Sequence, residues 1–212
     1  LAVSDAAIIG RQVGATAEIW LLPAIDAQPQ PLLGGDGRLY RDPAFSPDGR
    51  WLCYAADDGP SESPLRLWLM ELSRGEHSLL VAEPPAIAGG GEGPVRAGHP
   101  AWSADSEYIF FELAQGEKTA VAVVEVASRR VQPLTQPGFS SPAPVAPGLL
   151  CVERSEPDGR CDICLLQYRA PRPSAADAAA TEAQVALRFK VRTVPLSGVS
   201  AGAREPAAAV GR

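Results

Sequence analysis

A chain of 212 residues with a net charge of −6 and no cluster of basic residues is a poor fit to nucleic acid, whose phosphates need a concentrated Lys/Arg surface. Its 21 prolines and 20 glycines favour many turns over long helices, and a hydrophobic share of 46% fits a packed domain and not a disordered chain. No apolar run reaches the roughly 20 residues of a membrane span. The chain opens on Leu1 with no signal-like segment, so the expectation is a removed leader or a piece of a longer polypeptide.

In chain order, VSDAAIIGRQVGATAEIWLL (3–22) reads as two strands and QPQPLL (28–33) as a short third. DPAFSPDGRWLCYAADDG (42–59) follows. It holds a short strand with a proline near its start, a Ser-Pro-Asp-Gly reversal, an apolar run and an Asp-Gly turn. Proline presets φ and glycine accepts positive φ, so the chain doubles back. LRLWLMEL (65–72) and HSLLV (77–81) complete that unit. GGGEGP (89–94) lacks the Lys-Ser/Thr of a phosphate loop and reads as a flexible connection. The pattern then returns as HPAWS (99–103), YIFFE (108–112), TAVAVVEV (119–126) and VQPLT (131–135). A weaker copy, without the Ser-Pro-Asp-Gly turn, runs through SPAPV (141–145), LLCVE (149–153) and CDICLLQY (161–168). RAPRPSAADAAATEA (169–183) is a low-complexity excursion, and QVALRFKVRTVPLSG (184–198) is a strand to complete the last unit before a tail, 199–212.

A unit of four antiparallel strands recurring every 40 to 55 residues or so has the period of a propeller blade. The fold class is therefore all-β, a β-propeller of four-stranded antiparallel blades. Blade segments fall at about 1–35, 40–83, 97–136 and 139–168, the first lacking its opening strand. Near-continuous apolar runs are the mark of strands covered on both faces, as in a blade between neighbours. Phe45 and Trp102 occupy matching positions and are expected to fill the gaps between blades. PAFSPDGRWLCYAADDG with LRLWLMEL, and PAWSADSEYIFFE with TAVAVVEV, resemble the repeat of the TolB-like β-propellers. That group is related to the WD-type propellers and includes periplasmic TolB and the propeller domains of prolyl-oligopeptidase-type enzymes. The resemblance covers about residues 17–168. It implies a non-catalytic protein-binding scaffold in a periplasmic or extracellular assembly or, alternatively, the substrate-gating propeller of such a hydrolase. About three full blades and a partial one do not close a ring. Closure is expected from another protein chain, from further blades of a longer polypeptide, or from the C-terminal strand.

Few residues carry chemistry. GVSAG (198–202) matches the G-x-S-x-G nucleophile elbow, but no histidine follows Ser200 and only one acid does, so it reads as a chance match. Asp48, Asp57 and Asp58 are turn residues with too few neighbouring oxygens for calcium, and neither a metal nor another cofactor is expected. CDIC lacks the following histidine of a haem site, the helix start of a redox pair and the second ligand pair of a zinc site. Cys53 and Cys151 occupy equivalent second-strand positions and read as small buried residues. A two-residue turn at Pro157-Asp158 would set Cys151 opposite Cys164, the register of a cross-strand disulfide. The residues leading into the first strands, Tyr40, Arg41 and Asp42 in one blade and Arg96 and His99 in the next, are expected at the channel mouth. There they form either a binding rim or an ordinary solvated loop.

Overall fold

The computed structural model describes residues 7–13, 16–24, 26–58, 64–156, 159–169 and 190–194, and these contain strands and turns but no helix. The strands are β1 (Ala7–Val13), β2 (Thr16–Leu22), β3 (Gln30–Leu33), β4 (Tyr40–Phe45), β5 (Trp51–Ala56), β6 (Arg66–Glu71) and β7 (Glu76–Val81). They continue with β8 (Arg96–Trp102), β9 (Tyr108–Gln115), β10 (Lys118–Glu125), β11 (Val131–Pro133), β12 (Phe139–Ala146), β13 (Leu149–Ser155), β14 (Cys161–Arg169) and β15 (Lys190–Val194). They form four antiparallel meanders in chain order, β1-β2-β3, β4-β5-β6-β7, β8-β9-β10-β11 and β12-β13-β14-β15, termed blades 1 to 4. The last strand of blade 4 lies across a gap of twenty residues from β14, with Tyr168 opposite Val191.

Alternation explains the packing. In a strand successive side chains point to opposite faces, so a continuous apolar run gives each blade two apolar faces. Odd-numbered Ile109, Phe111 and Leu113 of β9 pack on Cys53, Leu67 and Leu69 of blade 2, while Tyr108 and Phe110 pack on Leu150, Val152 and Leu166 of blade 4. Ile19 of blade 1 meets Leu52 and Tyr54 of blade 2. Each buried large side chain contributes about 1.5–3 kcal/mol. The three apolar layers between blades, not the core of any one sheet, therefore hold the fold together. Trp102 does fill the gap between blades 2 and 3 and also donates its indole N–H to Ala44 O at 2.9 Å, while Phe45 packs in the layer between blades 1 and 2.

The reversal after the first strand has one construction in two blades. Ser46 Oγ donates to Asp48 Oδ1 and accepts the Trp51 amide, and Asp48 Oδ1 also accepts the Arg50 amide. Ser103 and Asp105 repeat this with the Tyr108 and Glu107 amides. Ser106 takes the left-handed position (φ 62°) that Gly49 (φ 70°) takes in blade 2, and its hydroxyl accepts the Asp48 amide of that blade. Burial acts to raise the Asp48 carboxyl, yet the Ser46 hydroxyl and the Arg50 amide hold it below the usual range.

The glycine-rich connection is less free than its composition suggests. Buried Gln115 accepts the Ile87 amide at 3.0 Å and donates to Gly91 O and Gly93 O, both at 3.1 Å. A Cβ on Gly90 would stand 2.5 Å from Gln115 Oε1, so the closeness of this clamp depends on glycine there. Gln115→Met keeps the side-chain length and removes the bonds. It is expected to lower the stability by about 1–3 kcal/mol in urea denaturation, the cost of unpaired buried polar groups. An unchanged midpoint would show that the clamp is ornamental.

The Cys151–Cys164 bridge does not form. The hairpin pairs Ser155 with Cys161, leaving a five-residue connection closed by the Glu156 amide on Arg160 O at 2.8 Å. The register is therefore one residue away from that of a two-residue turn. Cys151 stands opposite Leu165 and Cys164 opposite Val152, which puts the two sulfurs on opposite faces, and all four cysteines are free. Cys161 and Cys164, three apart on one strand, also face opposite ways, exposed and buried respectively. Cys53 is fully buried, and burial pushes its thiol well up; its equivalent Cys151 is only half-buried because it lies on the outer face of blade 4.

Candidate interaction site at the axial strands

The first strands β4, β8 and β12 lie side by side; besides a second break in β12 between Pro144 and Ala146, each breaks register with its partner at one equivalent place, between Arg41 and Ala44, Gly98 and Ala101, and Ser140 and Ala143. The cause is a shared X-Pro pair: Asp42-Pro43, His99-Pro100 and Ser141-Pro142. Each residue before the proline is left-handed, at φ 51°, 48° and 51°. That region is rare outside glycine, and pre-proline residues are normally extended, so each bulge stores about 1–3 kcal/mol of strain.

The next blade's bulge is tied down by a carboxylate. Asp42 Oδ2 accepts the His99 amide at 3.1 Å, and Glu112 Oε2 accepts the Ser141 amide at 3.1 Å. Asp42 is itself the bulge residue of blade 2, whereas Glu112 comes from the second strand of blade 3. The exchange is compensatory: the register position that holds Glu112, opposite Gly98, holds Ala55, opposite Arg41, in blade 2. His99 closes the chain of contacts, with Nδ1 3.5 Å from Glu112 Oε2 and Nε2 3.9 Å from Asp42 Oδ1.

Electrostatics follow from this placement. The hydrogen bond to Glu112 raises the His99 pKa against the pull of its partial burial, with Asp42 adding to the rise and Arg41 opposing it. Burial acts to raise Glu112, but His99 and the Ser141 amide hold it below the ordinary carboxylate value of 4.5. A raised histidine contributes stability that is complete below its unfolded value near 6.5 and disappears as pH rises through the folded value. A lowered carboxylate contributes stability that is complete above about 4.5 and disappears as pH falls through the folded value. The clasp should therefore be tightest between about pH 4.5 and 6.5. Because the His99 side chain is 60% exposed, its share is about 0.5–1 kcal/mol. Urea midpoints of the wild type and His99→Gln, compared across pH, should differ most in that window and converge in mild alkali. A pH-independent difference would rule out the charged pair.

Of the residues expected at the channel mouth, the structure brings Asp42 and His99 together, with exposed Arg41 and Arg96 flanking them. Tyr40 is not part of the rim. It is buried, its hydroxyl donates to Asp36 Oδ2 at 2.6 Å, and its ring lies 5.8 Å from that of Tyr54. Burial, then the Asp36 contact, pushes its pKa up to about 12. Glu112 and Ser141 are additional members. Ser141 was findable by aligning the residues before the repeated prolines, and Glu112 as the one acid within an otherwise apolar run, 108–114. Among the described residues no group of three or more His, Cys, Asp or Glu is arranged to hold a metal ion. Ser200 and the GVSAG segment lie outside the described residues.

No protein-family model and no curated protein matches the sequence. Solved structures do. TolB from Acinetobacter baumannii superposes with a TM-score of 0.58 at 17% identity over 76% of this chain and 39% of that one. A putative TolB from Agrobacterium tumefaciens gives 0.58 at 19% identity, covering 76% and 57%. The fold is that of a TolB-like β-propeller. A chain of the nidogen/laminin complex carries the same architecture, with a TM-score of 0.55 at 14% identity over 76% of this chain and 57% of that one. This TolB-like chain thus spans between 39% and 57% of the length of these three structures.

Proposed function

We propose that this TolB-like chain is a non-catalytic binding module that engages other proteins through the rim at its axial strands, within an exported or cell-envelope assembly. The observation that carries the reading is the rim itself. Arg41, Arg96 and His99 are exposed beside Asp42 and Glu112, whose carboxylates fix the bulges of the next blades at His99 and Ser141. Fixed charges of both signs on a rigid support suit polar recognition of a protein surface, because little entropy is lost on binding. The likeness to TolB, and to a chain of the nidogen/laminin complex, supports a propeller used for protein contacts and, through TolB, an envelope location.

The test is a photo-crosslinker placed at position 41 or 96, with position 74 on an outer turn as control, exposed to the envelope fraction of the source cells. The expected result is one defined protein adduct from the rim positions, lost when the other rim arginine is changed to glutamate while circular dichroism is unchanged. Equal adducts from the control position would overturn the rim. Labelling of Ser200 by a fluorophosphonate would overturn the non-catalytic assignment.

A further inference from the structure

The face that blade 3 turns toward blade 4 is partly open in blade 4, where Cys161 and Ile163 are exposed and Cys151, Glu153 and Leu165 half-buried. On blade 3 that face carries Phe110 and Glu112 of β9 with Val121 and Val123 of β10, and its three apolar members are fully buried. Register puts Cys151, Glu153, Ile163 and Leu165 at the same four places on β13 and β14: Ala143 pairs with Cys151 as Ala101 does with Phe110, and Ser140 with Glu153 as Gly98 does with Glu112. Ile163 is 53% exposed, where its equivalent Val121 is 0%. The Cys161 thiol, 4.0 Å from Glu153 Oε2, shares this face.

The face therefore has two properties in the arrangement already used once inside the molecule. Its centre is apolar, and its axial end carries a carboxylate. In the interface of blades 3 and 4 that carboxylate holds the amide of a left-handed residue before proline. We propose that the open face of blade 4 docks a further antiparallel blade whose first strand carries such an X-Pro bulge, and that Glu153 accepts the bulge amide as Glu112 accepts that of Ser141. The repeated interface selects this occupant. A second copy docked head to tail would bring blade 1, whose described strands start at β1, the register equivalent of a second strand, and among the described residues carry no such X-Pro bulge. This surface is distinct from the axial rim, so it stands or falls apart from the binding role proposed above.

The experiment supplies the blade. A copy of residues 94–136, which contains the His99-Pro100 bulge and no cysteine, is appended to the full chain through its own C-terminal residues. Alkylation of Cys151 and Cys161 is then timed by peptide mass. Docking predicts that both thiols slow by at least about tenfold, as burial removes access for the reagent. It also predicts that Glu153→Ala restores much of the rate in the extended chain. Unchanged alkylation, whether the appended blade folds or not, overturns the proposal, and so does protection that ignores Glu153→Ala. Sedimentation of the original chain gives the other arm. A dimer abolished by Ile163→Glu would assign the face to a second copy instead, and a monomer is expected.

Discussion

Phe110→Ala should cost about 3–5 kcal/mol, the largest loss expected from any single substitution in this chain. Phe110 is fully buried in the layer between blades 3 and 4, and its ring centroid lies 4.8 Å from that of Tyr168 at a tilt of 58°. At the same register position blade 2 carries Cys53 and blade 4 carries Cys151, so this layer relies on the aromatic volume more than its counterparts do. Removing the ring leaves a cavity that rigid sheets cannot close, because each is fixed by its own hydrogen-bond ladder. With total stabilities near 5–15 kcal/mol, the loss would leave the chain marginal. It should also be local. In native-state hydrogen exchange, amides of β13 and β14 are expected to open at lower free energy than those of β5 and β6. A loss below about 1 kcal/mol, or one spread evenly over all blades, would contradict the view that layers between blades hold the fold.

The second large effect is at Glu112. Glu112→Ala should cost about 2–3 kcal/mol, since it removes a charged acceptor from the Ser141 amide and the partner of His99, and leaves a strained bulge untied. Blade 2 predicts the repair. There an alanine, Ala55, occupies the equivalent place and the carboxylate stands at Asp42 instead. The double substitution His99→Asp with Glu112→Ala rebuilds that arrangement in blade 3 and should recover about half of the loss, despite the added repulsion from Asp42. Urea denaturation of the wild type, the two single variants and the double variant at neutral pH gives the coupling directly. If the double variant is no better than Glu112→Ala alone, the two carboxylate positions are not interchangeable.

The sequence made the blades legible because strand identity rests on local signals: apolar runs, Pro and Gly punctuation, and a repeat that aligns LRLWLMEL with TAVAVVEV. Three matters were beyond those signals. Tyr40 reads as a rim residue because it lies just before the strand expected from Asp42, but β4 begins at Tyr40 itself and the layer between blades takes its ring. The cysteine pairing failed by one residue, because a turn one residue longer than expected inverts which side chains share a face. The tie between Glu112 and Ser141 spans 29 positions and depends on the packing of two sheets, so no local pattern announces it.

In the His99 and Ser141 bulges the neighbouring blade grips the main-chain amide of the residue before the proline. That arrangement separates architecture from vocabulary. Aspartate, histidine and serine already occupy the three equivalent places with φ angles within a few degrees of one another. Because the grip is on the amide, the side chain at the Ser141 place is free to drift with the demands of recognition, whereas Asp42, which supplies a carboxylate to the next bulge, is not. A propeller built this way can acquire new surface specificity one blade at a time without renegotiating how its blades stand together.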